Sequence, residues 1–144
     1  MKGVFPRLMA GIAITALLGV SAIPVSAATV PGPTLDVSNP SAGHFLRRGR
    51  HMIHGVACDK SATSGTGVDS VTVFKGDRDT GGKFLGAATL GLRTTGTACK
   101  GVAGAGWRLK SASLKKGSFT LFVYAHSVSG GETVLQIPIR VDKP

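Results

Sequence analysis

Acidic residues are scarce in this chain of 144 residues, which holds 7 of them against 17 lysines and arginines. No pair of carboxylates stands in an apolar setting that would raise the pKa of one of them, as general acid catalysis requires. The G-x-S-x-G motif of a serine hydrolase elbow is also missing. The glycine-rich stretch GVAGAG (101–106) does not have the glycine order of a dinucleotide-binding loop. These absences argue against an enzyme and imply no cofactor.

Aromatic residues are few, with one tryptophan and one tyrosine in the whole chain. Proteins that bind single-stranded nucleic acid interleave exposed aromatics with basic residues, and Phe45 is the sole candidate of that kind here. We therefore expect no nucleic-acid partner. Apolar residues at helical spacing are also missing over any stretch of three turns. Short alternating or β-branched runs recur instead between Gly-, Ser- and Thr-rich breaks, which predicts an all-β fold.

The N-terminus has the pattern of a secretory signal peptide, with a basic head, an uncharged apolar run (8–20) and small residues after it. The apolar run is shorter than the ~20 residues that a membrane span needs, although an uncleaved anchor is the alternative. We expect residues 1–27 to be cleaved after about Ala27. A short N-terminal extension (28–33) and one domain (34–144) would remain, with no membrane span, in a secreted or otherwise extracytoplasmic protein of a periplasm or cell wall.

Cleavage would remove Lys2 and Arg7, which leaves 15 basic residues against 7 acidic ones and a formal net charge of +8. Such a charge favours anionic neighbours, for example an anionic polymer of the cell envelope or an acidic glycan. It describes attraction and solubility and does not by itself identify a ligand.

The chain has only two cysteines, Cys58 and Cys99. Because thiols oxidise outside the cytoplasm, a single disulfide between them is the default prediction. Two buried reduced thiols are the alternative. In the loop-closure treatment, a bridge that encloses about 40 residues stabilises the fold by about 4 kcal/mol.

Seven runs are predicted to form strands, and they suggest two packed sheets. The runs are TLDVS (34–38), HMIHGVAC (51–58), DSVTVFK (69–75), KFLGAATL (83–90), GWRLKSASL (106–114), SFTLFVYAHS (118–127) and ETVLQIPIRV (132–141). Trp107 is expected to fill core volume. Period-2 alternation predicts a core made of Val71, Val73, Phe119, Leu121, Val123, Ala125, Leu135, Ile137, Ile139 and Val141.

The middle and the end of the chain resemble the bacterial immunoglobulin-like domains of secreted and cell-surface proteins. The segments that carry the resemblance are GVDSVTVFKGDRDTGGKFLGAATLG (67–91) and LKKGSFTLFVYAHSVSGGETV (114–134). The resemblance covers about residues 34–142 and implies an immunoglobulin-like two-sheet β-sandwich of about seven strands. Such modules act as spacers, adhesion domains and carbohydrate-associated appendages, so the resemblance is far more specific for fold than for function.

Two departures from related sandwiches affect these expectations. The sixth predicted strand has no cysteine, so a Cys58–Cys99 bridge would tie the second strand to the long loop (94–106). Phe119 stands where related sandwiches often place a tyrosine whose hydroxyl bonds to the backbone. Packing must therefore hold this corner.

The stretch FKGDRDTGGKFLG (74–86) is either a hairpin tip or a weak calcium site made by Asp77 and Asp79. An EF-hand loop needs a bidentate glutamate at its twelfth position, which counted from Asp77 is Ala88. Arg78 adds positive charge between the two aspartates. The hairpin tip is therefore the prediction, since Asp and Gly favour turn conformations.

The histidines do not form a metal-binding pattern. His51 and His54 are three residues apart, which places them on opposite faces of a strand. The resemblance to the bacterial immunoglobulin-like domains implies that His126, in YAHS (124–127), serves structure at a strand end. We therefore predict no metal site.

A four-residue turn carries three arginines, Arg47, Arg48 and Arg50. The planar fork of arginine suits sulfate, phosphate and carboxylate, so this turn is a candidate anion-binding patch. Lys115 and Lys116 would extend it if folding brings their turn alongside. The alternative is a solvated turn that binds nothing.

Three functions fit the sequence. The first is a secreted, non-enzymatic module that binds or associates structurally at or near the bacterial cell surface, with an envelope polymer, a glycan or a surface protein as its partner. The second is a cationic secreted effector that attaches electrostatically to anionic envelope polymers or glycans. The third is an accessory or inhibitor subunit of a secreted hydrolase.

Overall fold

The structure is a computed structural model and describes residues 29–142. The expected signal peptide, residues 1–27, lies outside these residues. The strands within residues 29–142 are β1 (Thr34–Asn39), β2 (His44–Arg47), β3 (Met52–Cys58), β4 (Val68–Lys75), β5 (Lys83–Ala87), β6 (Thr89–Leu92), β7 (Gly106–Lys110), β8 (Gly117–Ser127) and β9 (Glu132–Asp142). A short 3-10 helix (Arg78–Thr80) lies between β4 and β5. Across this part of the chain, no helix has the length and apolar character needed to cross a membrane.

The strands form two sheets that pack as an immunoglobulin-like β-sandwich, which confirms the predicted fold class. One sheet has the order β1-β3-β7-β6 and the other the order β2-β9-β8-β4-β5. Neighbouring strands run antiparallel, except that β2 pairs with β9 in parallel.

The hydrophobic core lies between the sheets and is made by the alternating residues of their strands. Ile53 and Trp107 enter it from the four-stranded sheet, whereas Leu121 and Val123 enter it from the five-stranded sheet. Most of the predicted core residues are buried, and Phe119 and Leu135 are partly buried against the core. Burial of each large aliphatic side chain stabilises the fold by about 1.5–3 kcal/mol, so this core is its main support.

Strand β2 is not among the seven predicted runs, and the sequence analysis placed its last residue, Arg47, in a turn. The strand has four residues, and only Leu46 is buried. Because it is so short, it shows no periodic pattern in the sequence. Its partner is the distant end of β9, in a register that runs from His44 opposite Ile139 to Arg47 opposite Asp142. Arg47 therefore ends a strand and does not lie in a turn.

The predicted strand 83–90 is also divided, into β5 and β6, because the chain crosses from one sheet to the other at Ala88. The Ala88 amide still donates to the Val71 carbonyl at 2.8 Å, whereas Thr89 already pairs with Arg108 of the other sheet. Gly86 lies just before the crossing at φ +153°, a conformation that a side chain would strain. The apolar pattern continues through the crossing, so the sequence gives no sign of it.

The loop 93–105 folds over the outer face of the four-stranded sheet. Cys99 in this loop forms the predicted disulfide with Cys58 at the end of β3, with the two Cα atoms 6.0 Å apart. Val56 and Ala105 pack with the two cysteines in a second small apolar cluster. The bridge thus ties the second predicted strand to the long loop, as the sequence analysis expected.

Candidate functional site

The hairpin between β4 and β5 contains Asp77 and Asp79 in a compact turn. Asp77 caps the short 3-10 helix, because its carboxylate accepts a hydrogen bond from the Asp79 amide at 2.9 Å. Gly81 ends the helix in the left-handed conformation, at φ 91°. The stretch is therefore the hairpin tip that the sequence predicts.

This tip is held down on the outer face of the five-stranded sheet by Tyr124. The tyrosine hydroxyl donates to Asp77 Oδ1 at 3.0 Å and accepts the amide hydrogen of Arg78 at 2.9 Å. The Arg78 guanidinium lies over the Tyr124 ring, 4.0 Å from its centroid, and forms two hydrogen bonds with Glu132 at 2.6 and 3.0 Å. Both groups of this ion pair are only partly exposed.

The ion pair also shifts the titration of its members. The hydrogen bonds from Arg78 hold the pKa of Glu132 below its usual range, and the same bonds raise the pKa of Arg78. Burial is the main cause that raises the pKa of Tyr124. These groups belong to one network of hydrogen bonds, and structural ion-pair networks also perturb pKa values in this way.

A second network surrounds Asp59, the first residue after β3. Its carboxylate accepts hydrogen bonds from the hydroxyls of Ser127 at 2.5 Å and Ser129 at 3.1 Å, and from the hydroxyl and amide of Ser61. These bonds, led by that of the buried Ser127, hold the pKa of Asp59 well below its usual range. The network ties the loop 59–67 to the turn after β8. A cavity of about 520 Å³ lined mainly by Ser, Thr and Gly lies beside it.

The histidines lie apart from one another in the sandwich. His51 Nε2 lies 2.6 Å from the Arg47 carbonyl oxygen, and His126 Nδ1 lies 2.8 Å from Asp69 Oδ1. His54 is exposed on the outer face of the four-stranded sheet. Between residues 29 and 142, no three His, Cys, Asp or Glu side chains come together in a way that could hold a metal ion.

The predicted anion-binding residues are brought together by the fold. Gly49 and Leu114 form an antiparallel β-bridge with hydrogen bonds of 3.1 and 2.8 Å between their backbones. The bridge places the segment that holds Arg48 and Arg50 beside the segment that begins with Lys115. We call the five residues of these two segments the basic patch: Arg47, Arg48, Arg50, Lys115 and Lys116.

All five side chains of the basic patch are exposed. Within the described chain, none of them forms an ion pair with a carboxylate. One carboxylate, that of Asp142, lies near the edge of the patch because it is opposite Arg47 in the β2–β9 register. The patch is therefore a largely uncompensated cationic surface at the edge of the sandwich.

A second cationic feature was not found from the sequence. His54 and Arg108 are opposite each other on the outer face of β3 and β7, and Arg93 begins the loop that borders this face. His54, Arg93 and Thr94 line two adjoining cavities of about 550 and 410 Å³, and Arg108 lines the smaller of the two. We call this feature the basic groove. Strand alternation could have placed His54 and Arg108 outward, but only the pairing of β3 with β7 makes them neighbours.

Neither a protein-family model nor a curated protein matches this chain. Among solved structures, CopC from Methylosinus trichosporium OB3b is similar, with 20% identity over 78% of this chain and 93% of its own, at a TM-score of 0.44. The fibronectin(III)-like modules of Clostridium thermocellum CbhA are similar with 20% identity over 74% of this chain and 92% of theirs, at a TM-score of 0.45.

Proposed function

We propose that this chain is an extracytoplasmic, non-catalytic immunoglobulin-like module of the bacterial cell-surface kind, and that it binds anionic polymers of the cell envelope. The observation that supports this most is the β-bridge between Gly49 and Leu114. It turns two short cationic segments, distant in sequence, into one patch of five exposed charges.

The strength of this attachment follows from the exposure of the charges. An exposed ion pair contributes about 0.2–1 kcal/mol, so five contacts would supply about 1–5 kcal/mol together. Binding is therefore weak for one module and depends on many simultaneous contacts. It is also sensitive to salt, because the Debye length is only about 8 Å at physiological ionic strength.

The compartment is supported by the disulfide between Cys58 and Cys99, since disulfides persist where the environment is oxidising. The signal-like N-terminus supports the same assignment. An envelope polymer in that compartment would meet the protein directly after export.

The non-catalytic part of the proposal is supported by where the perturbed groups lie. Glu132 and Asp59, whose pKa values are lowered, each bond to neighbouring side chains that fix a turn or a loop. Catalytic carboxylates are commonly found with a raised pKa in an apolar cleft. Those two carboxylates have the opposite shift.

Cosedimentation with isolated envelope fractions tests the proposal. The purified protein is mixed with envelope from the cells that produce it, and the pellet is washed with buffers of rising salt. We expect binding at low salt and release as the salt approaches the physiological range. Failure to sediment at low salt, or retention that salt does not change, would contradict an electrostatic module.

A further inference from the structure

We propose that the basic groove is a second, shaped site that binds one tetrahedral oxyanion, a phosphate or a sulfate group carried by a polymer. The proposal rests on the proposed function for its class of ligand, whereas the site itself is distinct from the basic patch. Its basic residues are His54, Arg93 and Arg108, which come from β3, the loop after β6, and β7.

The groove itself contains no carboxylate, and the nearest one along β1 is that of Asp36, which is exposed on the same face two residues before Ser38. No acidic residue lines either cavity. In the described part of the chain, the side chains of Arg93 and Arg108 form neither an ion pair nor a hydrogen bond with another side chain. Arg78, by contrast, is fully engaged by Glu132 on the opposite face of the sandwich. Two guanidinium groups of the groove thus remain free to bind an anion.

The hydrogen-bond donors of the groove favour a tetrahedral oxyanion over a carboxylate. The Thr94 hydroxyl accepts the Gly96 amide hydrogen at 2.9 Å, so its own proton is left to donate. The hydroxyls of Ser38 and Thr95 border the same cavity. Donors that approach from three different segments match an ion with three or four oxygens better than a planar ion with two. Arg93, which lines both cavities, can add two parallel bonds to such an ion, and Arg108 adds its charge from the adjoining cavity.

The loop 93–105 forms one wall of the groove, and contacts within the protein hold it against β3. The loop 93–105 is tied to β3 by the Cys58–Cys99 disulfide and by a hydrogen bond of 2.9 Å from the Ala57 amide to the Ala105 carbonyl. Gly96 approaches Val56 so closely that an added Cβ would lie 2.8 Å from a Val56 methyl carbon. A preorganised wall lowers the entropic cost of binding. The groove should therefore depend on the disulfide, whereas the basic patch should not.

The groove is also large enough for more than a free ion. Ligand pockets commonly measure about 300–1,000 Å³, and the two cavities of 550 and 410 Å³ lie in that range. Lys110 projects from the same face of β7 two residues beyond Arg108, or about 7 Å along the strand. A polymer whose oxyanion occupies the groove could place its next charge near Lys110.

Nuclear magnetic resonance titration of the purified protein tests the site directly. The probes are sodium sulfate and sodium phosphate, with sodium chloride at equal ionic strength as the reference. We expect saturable shifts of the Thr94, Thr95 and Gly96 amides with the oxyanions and not with chloride. Equal shifts with chloride, which would mean an unspecific salt effect, would overturn the proposal.

Matched variants then assign the binding to the groove. Arg93→Gln with Arg108→Gln should weaken oxyanion binding about two- to thirtyfold, because two charged contacts are lost. Lys60→Gln with Lys83→Gln removes the same charge from exposed positions elsewhere and should have no effect. Reduction of the disulfide should also weaken binding. Unchanged affinity in the groove variant would overturn the proposal, and its circular dichroism spectrum verifies that it is folded.

Two polymers separate this proposal from the proposed function. Heparin presents sulfate and polyphosphate presents phosphate, and the polymer whose binding falls more in the groove variant identifies the source of the oxyanion. If only the patch variant Arg47→Ala, Arg48→Ala, Arg50→Ala weakens polymer binding, the groove proposal fails and the proposed function stands. If neither polymer binds while the sulfate shifts persist, the proposed function fails and the groove remains.

Discussion

The hydroxyl of Tyr124 donates a hydrogen bond to Oδ1 of Asp77 at 3.0 Å, and this bond joins the outer face of the five-stranded sheet to the tip of the β4–β5 hairpin. The same carboxylate oxygen accepts the Asp79 amide. Asp77 is therefore a structural residue of the turn, whereas the carboxylate of Asp79 contacts only Arg78, at 3.4 Å.

Alanine variants of the two aspartates should differ in stability. Asp77→Ala removes both the helix cap and the acceptor of the Tyr124 hydroxyl, so we expect it to lower the free energy of unfolding by about 1–2 kcal/mol. Asp79→Ala should change it by less than about 0.5 kcal/mol, as an exposed site does. Urea unfolding measures both. Equal losses would mean that the cap does not hold the turn.

Calcium provides a separate test of the same stretch. If Asp77 and Asp79 only form a turn, millimolar calcium should not change the melting temperature of the protein. A ligand that binds only the folded state must stabilise it. A rise in melting temperature with calcium that disappears in Asp77→Asn with Asp79→Asn would favour the calcium site instead.

The disulfide should stabilise the fold without determining it. The bridge joins residues that are 41 positions apart, which corresponds to a contribution of up to about 4 kcal/mol in the loop-closure treatment. Cys58→Ser with Cys99→Ser should therefore melt at a lower temperature and keep its β-type circular dichroism spectrum, because the core between the sheets contains neither cysteine. Loss of the β spectrum would show that the core alone cannot support the sandwich.

The parts of the fold that the sequence predicted are those with a local signal. The alternation in β8 identified its buried residues Leu121 and Val123, and two cysteines can form only one intramolecular bridge. The parts that it missed depend on partners far along the chain. Strand β2 exists because the end of β9 pairs with it, and the division of β5 from β6 depends on which sheet each segment joins.

In the basic patch and the basic groove, too, the sequence identifies only residues that are close together along the chain. The arginines of the basic patch are adjacent in sequence, so they could be found without a structure. Lys115 joins them only through the bridge between Gly49 and Leu114. Arg93 and Arg108 share no sequence motif, and they line one groove because of strand pairing and the fixed loop.

Acid should destabilise the protein through its bonded carboxylates. Because the pKa values of Glu132 and Asp59 are lowered in the folded state, their contribution to stability is fully present above the ordinary carboxyl pKa, near pH 4, and is lost as the pH falls through their folded-state values. The melting temperature should therefore fall below about pH 4. Glu132→Gln should be less stable at neutral pH and lose less on acidification. Parallel curves for the two proteins would contradict the role of the Arg78–Glu132 pair.

The central claim, that a localised cationic patch attaches this module to anionic polymers, is tested most directly by the salt dependence of heparin binding. Wild type is compared with Arg47→Ala, Arg48→Ala, Arg50→Ala and with a control of equal charge, Lys60→Ala, Lys83→Ala, Lys100→Ala, whose positions are also exposed. We expect wild-type binding to weaken sharply between low and physiological salt, and the patch variant to lose more affinity than the control at low salt, where the charges are least screened. Equal losses in the two variants would mean that the charge is diffuse and that the patch does not exist as a site.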